Sequence, residues 1–257
     1  MPGSEITITG PDGSFGAYYA TPRGGRGPGL LVLQEMYGVN GFMRNTCDEY
    51  AKLGFLALCP DLYWRQRLGV QLTDASQAEL DQAFKLMDGL DRDKAIADIR
   101  ATIAHLRTVS GANGRVGALG FCLGGLLAYL TAVRTDIDAA VGYYGVDIHK
   151  YLAEKSAIKK PLMLHIAEED TALPKEDNAA IKAGLAGHPL VTIHSYPGLD
   201  HAFARVGTKY FKYDARAADV ANRRTLKLLN DALVIGPAAE RGKRPEGVAP
   251  NTLARKT

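Results

Sequence analysis

Short, unbroken apolar runs alternate with helical patterns along most of this 257-residue chain. Residues 30–34, 55–59, 116–119, 139–144, 162–167 and 191–196 read as strands. A run that is apolar at every position, rather than at every second one, suits a parallel sheet covered on both faces. Residues 44–53, 125–134, 175–185 and 215–229 carry helical spacing. A longer helical pattern fills 74–110, where Ile96, Ile99, Ile103 and Leu106 fall three and four apart and build one apolar stripe. Asp88-Gly89-Leu90-Asp91 breaks that pattern into two helices, with Asp91 as a cap. Residues 6–20, with Pro11-Asp12-Gly13 in the middle, read as an antiparallel hairpin on the sheet edge. The expected fold is α/β: one domain over 1–235, with a mostly parallel doubly wound sheet and helices on both faces. Residues 236–257, rich in Gly, Pro, Arg, Lys and Glu without apolar periodicity, read as a flexible C-terminal tail.

Composition narrows the function classes. With 46% hydrophobic and 23% charged residues, a chain this long buries a core without staples. The net charge of +3 is small and scattered, so nucleic acid is not an expected partner. Three cysteines, Cys47, Cys59 and Cys122, form no Cys-x-x-Cys pair and are odd in number. That argues against a disulfide framework and for a reducing compartment. No signal peptide is evident at the N-terminus, and no apolar run approaches the roughly 18 residues of a membrane span. Cytoplasmic location, no membrane contact, and a monomer or weak homo-oligomer are expected. No His-Glu-x-x-His or other metal spacing occurs, so no metal site is expected.

The chemistry centres on Gly120-Phe121-Cys122-Leu123-Gly124, which joins an apolar strand to an apolar helix. This is the nucleophile-elbow pattern, Gly-x-nucleophile-x-Gly, with Cys in place of the commoner Ser. The nucleophile of such an elbow sits in a strained turn, so its neighbours two positions away must be small. The helix that follows points its N-terminus at the thiol, and a nearby imidazole adds to the preference for thiolate. The backbone N–H of Leu123 is positioned to donate to an oxyanion. A lone Cys between glycines is usually a small buried hydrophobe, and Cys47 and Cys59, without this context, are read that way.

In the α/β-hydrolase fold the nucleophile is followed by the acid and then the histidine. After strand 162–167 comes Glu168-Glu169-Asp170, of which Asp170 is the chosen acid and the two glutamates are solvated loop charges. After strand 191–196 comes Pro197-Gly198-Leu199-Asp200-His201, which puts His201 at the C-terminal end of a strand, where open α/β sheets place their sites. His105, His165, His188 and His194 lie in helices or around strands and suit core or surface roles. The loop Gln34-Glu35-Met36-Tyr37-Gly38-Val39 follows the first long strand, where the second oxyanion N–H of this fold originates; Met36 is the expected donor. Glu35 is either a surface loop glutamate or a regulator of the Cys122 proton, and if buried it must be paired.

Together these motifs resemble the dienelactone hydrolase family, the carboxymethylenebutenolidases. The resemblance spans about residues 6–229. It rests on Gln34-Glu35-x-x-Gly38-Val39-Asn40, Cys59-Pro60-Asp61-Leu62-Tyr63, Gly120-x-Cys122-Leu123-Gly124-Gly125, Ala140-Val141-Gly142-Tyr143-Tyr144-Gly145 and Gly198-x-x-His201-x-Phe203-x-Arg205. It implies a cofactor-free enzyme in which Cys122 attacks a lactone carbonyl, with His201 as base and Asp170 orienting it. Glu35 would hold the thiol proton until substrate arrives, and Arg205 would pair with a substrate carboxylate. Tyr37 and Tyr143 are counted with the substrate-contacting residues.

The sequence also departs from that family. Where it carries a second carboxylate-binding arginine, this chain has Leu80. The family tyrosine and tryptophan just beyond it are Phe84 and Met87, and a serine beside the histidine is Ala202. Losing a desolvated charge partner weakens binding of an anion, so a different or less acidic substrate is expected. The partner is a small lactone or ester, dienelactone-like and carboxylate-bearing if the resemblance extends to the substrate. The alternatives are a small-molecule-binding or thiol-sensing protein on the same scaffold and a thiol protease, for which no peptide groove is evident.

Overall fold

A computed structural model describes residues 2–234; the expected tail over 236–257 lies outside the described residues. Eight strands form one sheet: β1 (Ser4–Gly10), β2 (Gly13–Ala20), β3 (Gly27–Leu33), β4 (Leu56–Pro60), β5 (Ala112–Phe121), β6 (Ala139–Tyr143), β7 (Leu162–Ala167) and β8 (Val191–Tyr196). Their spatial order is β1-β2-β4-β3-β5-β6-β7-β8. β1 and β2 form the expected edge hairpin, β2 pairs antiparallel with β4, and every later pairing is parallel.

The described residues form six α-helices: α1 (Gly41–Lys52), α2 (Gln77–Asp88), α3 (Arg92–Thr108), α4 (Leu123–Arg134), α5 (Lys175–Leu185) and α6 (Ala215–Leu233); α1, α3, α4 and α6 pack on the sheet. Leu31 and Leu33 face the layer of α3 and α4, whereas Leu30 and Val32 face that of α1 and α6. Successive strand residues point to opposite faces, and both faces are buried, which is why the runs are apolar throughout. A fully buried leucine in such a layer contributes about 1.5–3 kcal/mol. The 74–110 pattern does divide, and Asp91 caps α3 by accepting from the N–H groups of Asp93 and Lys94.

The sequence pattern did not anticipate the 3₁₀ segment Ile148–Ala157. Ile148 is its one fully buried side chain, so it carries no apolar stripe to read. Strands β3 and β5 also begin earlier than the apolar runs, because their first residues pair at the N-terminal ends of the two strands, Gly27 with Ala112.

Candidate active site

Cys122 stands at the corner between β5 and α4, with φ 54° and ψ −117°. A non-glycine residue held there costs about 1–3 kcal/mol. Glycines let the corner close. A Cβ on Gly120 would lie 1.8 Å from the Gly124 carbonyl oxygen, and one on Gly124 would lie 2.2 Å from that of Leu33. A Cβ on Gly125 would meet Tyr143 O at 2.7 Å. The start of α4 is thus wedged between the ends of β3 and β6. The Cys122 N–H donates to Tyr143 O at 3.0 Å, and the Cys122 carbonyl accepts from Gly125 and Leu126 at 2.8 and 3.2 Å. Leu123 is the first residue of α4, so its N–H has no acceptor within the helix and lies at the positive end of the helix dipole.

Asp170 and His201 come from the loops after β7 and β8. His201 Nδ1 lies 2.9 and 3.1 Å from the two Asp170 carboxylate oxygens. A carboxylate only accepts, so Nδ1 carries a hydrogen and donates it. Asp170 Oδ1 also accepts from Ala172 N at 3.0 Å. The neighbouring Asp200 ties the two loops together, accepting from Thr171 N at 2.7 Å and from His201 N at 2.6 Å. The imidazole packs on Tyr144 and Phe211, at 4.9 and 5.1 Å between ring centres. Burial alone would lower its pKa, but the charge of a Cys122 thiolate and the Asp170 carboxylate outweigh burial and push it up to about 10.

Glu35 is no surface residue. It is 2% exposed, and its Oε2 accepts from Arg205 Nε at 2.8 Å. Arg205 Nη1 lies 3.5 Å from Asp74 Oδ2, and its guanidinium sits over the rings of Tyr37 and Phe42, at 5.1 and 5.7 Å. Burial raises the Glu35 pKa despite the guanidinium beside it. Asp74 moves the other way: hydrogen bonds from Lys209 N and Thr208 Oγ1, with the Arg205 charge, outweigh its burial. The loop bearing Glu35 is itself pinned. Val39 N donates to Val70 O at 3.0 Å, Leu72 N donates to Tyr37 O at 2.9 Å, and Tyr63 Oη donates to Met36 O at 3.1 Å.

A cavity of about 430 Å³ brings most of the expected residues together. Glu35, Met36, Tyr37, Cys122, His201, Ala202 and Arg205 line one side; Leu80, Phe84 and Met87, one turn after another on α2, line another. Asp170 stands behind His201. Tyr143 does not reach the cavity. It is fully buried, and its hydroxyl bonds to Thr225 Oγ1 at 2.6 Å and Asn222 Oδ1 at 3.0 Å under α6. A residue inside β6 points to the sheet face that α6 covers, so the expectation for Tyr143 is corrected. The adjacent Tyr144, just past the strand end, turns to the histidine instead, with φ 37° and a buried hydroxyl that has no partner. Sequence reasoning also passed over Asp74 and Asp200; for Asp200 the available signal was an acid directly before the histidine.

Topology and the strained residue at its strand-to-helix corner place the chain among the α/β-hydrolases. More narrowly, the family model described as "Dienelactone hydrolase family" matches residues 15–233, and the chain belongs to that family. It is 48% identical over 225 residues to an Azospirillum brasilense protein named "Putative carboxymethylenebutenolidase", covering 86% of this chain and 96% of that one. It is 38% identical to the carboxymethylenebutenolidase of Pseudomonas putida, covering 87% and 94%. Among solved structures, the dienelactone hydrolase-like promiscuous phosphotriesterase P91 from metagenomic libraries superposes with a TM-score of 0.75 at 21% identity, covering 91% of this chain and all of that one; at that identity the likeness is one of fold.

Proposed function

We propose that this protein is a cysteine-dependent hydrolase that opens a small lactone or ester through a thiol acyl-enzyme. The observation that carries the reading is that Cys122, at a strained corner, shares one cavity with His201, whose Nδ1 is held by Asp170. Cys122 Sγ gives its proton to His201 and, as thiolate, attacks the carbonyl carbon. The N–H groups of Leu123 and Met36 receive the developing oxyanion; a donor of this kind is worth about 2.7–4 kcal/mol. Collapse breaks the C–O bond, and His201 gives its proton to the departing oxygen. Water then attacks the thioester, His201 takes the water proton, and Cys122 is released with the acid product. At rest the Cys122 thiol keeps its proton with Glu35 as its partner, a carboxyl whose pKa burial raises, and that proton passes to His201 when the thiolate forms. Arg205 fixes where the Glu35 carboxylate sits. The carboxymethylenebutenolidase relatives support a lactone as the substrate class.

Turnover of dienelactones and p-nitrophenyl esters by purified Cys122→Ala is the direct test. Both activities should vanish, and trapping with a slow ester should give an acyl adduct on wild-type Cys122 by mass spectrometry. Undiminished turnover would remove Cys122 from the nucleophile's role.

A further inference from the structure

We infer that the cavity takes a lactone or ester carrying a sizeable apolar substituent, an alkyl chain or aryl ring that runs from Cys122 along the α2 wall to the surface. This rests on the proposed hydrolase reading and names the substrate class of that same site.

α2 carries two apolar stripes where a surface helix needs one. Ala83 and Leu86 are its buried side chains and join the core layer of α3 and α4. Leu80, Phe84 and Met87 lie four and three residues apart, so they share a second face, and all three line the cavity. Leu80 and Met87 are only partly buried at the edge of that core, and Phe84 is 46% exposed. Folding alone therefore leaves the second stripe without a partner.

The stripe continues across the cavity. Leu173, from the loop after β7, and Tyr210 and Phe211, from the loop before α6, also line it. Phe211 lies beside the His201 ring, at 5.1 Å between centres, so the apolar surface begins at the reacting residues. It ends in the open: Phe84 and Tyr210 are two of the four large hydrophobic side chains exposed among the described residues. Single exposed apolar groups need no explanation, but those gathered around one concavity mark a ligand groove. The cavity volume of about 430 Å³ falls within the roughly 300–1,000 Å³ of pockets that enclose drug-sized ligands. The ring of a bare lactone at Cys122 leaves much of that space unfilled. A substituent that fills it gives up only water from apolar surface and uses none of the charged groups in the lining.

Two substrate series test this on the wild-type protein. p-Nitrophenyl acetate, butyrate and hexanoate lengthen the acyl side with one leaving group throughout. γ-Lactones with methyl, propyl or pentyl on the carbon bound to the ring oxygen lengthen the other side. In at least one series kcat/KM should climb by about two- to fourfold per methylene. The gain should lie chiefly in KM, because an arm away from the breaking bond is held alike in ground and transition states. Flat or falling values in both series overturn the inference. In the rising series Phe84→Ser should cut the ratio of longest to shortest substrate severalfold. Leu68→Ser, which removes a side chain 72% exposed and outside the cavity lining, should leave that ratio unchanged. An unmoved ratio in Phe84→Ser, or equal losses in both variants, would mean that chain length is rewarded without the α2 wall and overturns the inference. Calorimetric binding of the longest and shortest substrates to Cys122→Ala separates the two readings. Tighter binding of the longer one supports the apolar wall even if turnover persists, an outcome that would remove only the nucleophile assignment; equal binding overturns the wall even if turnover is lost.

Discussion

Glu35 Oε2 and Arg205 Nε meet at 2.8 Å across 170 positions of sequence, both buried and both lining the cavity. The pair joins the loop after β3 to the loop after β8, the two segments that must hold register around Cys122. A buried ion pair contributes little relative to an apolar pair of the same shape, but removing one partner strands the other. Arg205→Met should accordingly destabilise the protein by about 3–5 kcal/mol. The double variant Glu35→Gln with Arg205→Met should cost less than the two single changes added together, because neither charge is left alone. Urea unfolding of the four proteins measures this; additive losses would contradict the pairing.

In the proposed mechanism Asp170 acts on the reaction through His201. Asp170→Asn keeps an oxygen for Ala172 N but presents an amide that can leave the imidazole in the wrong tautomer. The expected loss is about 10⁴-fold in kcat, the size seen when a triad acid is made neutral, with an unfolding midpoint close to wild type. Steady-state kinetics on an aryl ester beside a thermal melt separates this outcome from a folding defect. A loss of less than tenfold would assign the orienting role elsewhere, with Asp200 the nearest acid.

The His201 titration follows from its surroundings. Its folded pKa of about 10 lies above the unfolded 6.5. The stability it contributes is therefore fully present below about 6.5 and lost as the pH rises through about 10. Cys122→Ala removes the thiolate charge while leaving the burial, which acts in the opposite direction. The imidazole of that variant should lose its proton at clearly lower pH than in wild type. Histidine ring NMR across pH 5–11 reads the shift, and an unchanged midpoint would mean that Asp170 alone sets it.

Much of this was legible in the sequence, and the exceptions share a cause. The parallel strands could be read because both faces of β3 to β7 are buried, so their apolar runs carry no gaps. Cys122, Asp170 and His201 could be ordered along the chain because each follows a strand end. Tyr143 and Tyr144 could not be told apart, since which of two adjacent tyrosines reaches the histidine depends on where β6 stops pairing. Asp74 was read as part of a helical stretch, because its partners Thr208 and Lys209 lie more than 130 positions away. Likewise, the sequence shows that Glu35 needs a partner if buried, but only the fold shows Glu35 and Asp74 sharing the one guanidinium of Arg205.

The corner glycines give the most direct test of the elbow. At Gly124 an added Cβ would sit 2.2 Å from Leu33 O and 2.8 Å from Gln34 O, both main-chain atoms at the end of β3. No rotamer relieves that contact; either α4 must slide or β3 must bend. Gly124→Ala should destabilise the fold by about 1–3 kcal/mol, the usual range for overpacking a close-packed site. It should also lower kcat more than Gly187→Ala lowers it, because sliding α4 moves Cys122 and the Leu123 N–H together. Gly187 has a positive φ of 71° with open space around its Cβ, so its alanine variant reports backbone strain without a clash at the corner. Thermal melts and kcat for the two variants, compared side by side, decide the matter. Equal effects on both would mean that the close approach of α4 to β3 does not set the geometry at Cys122.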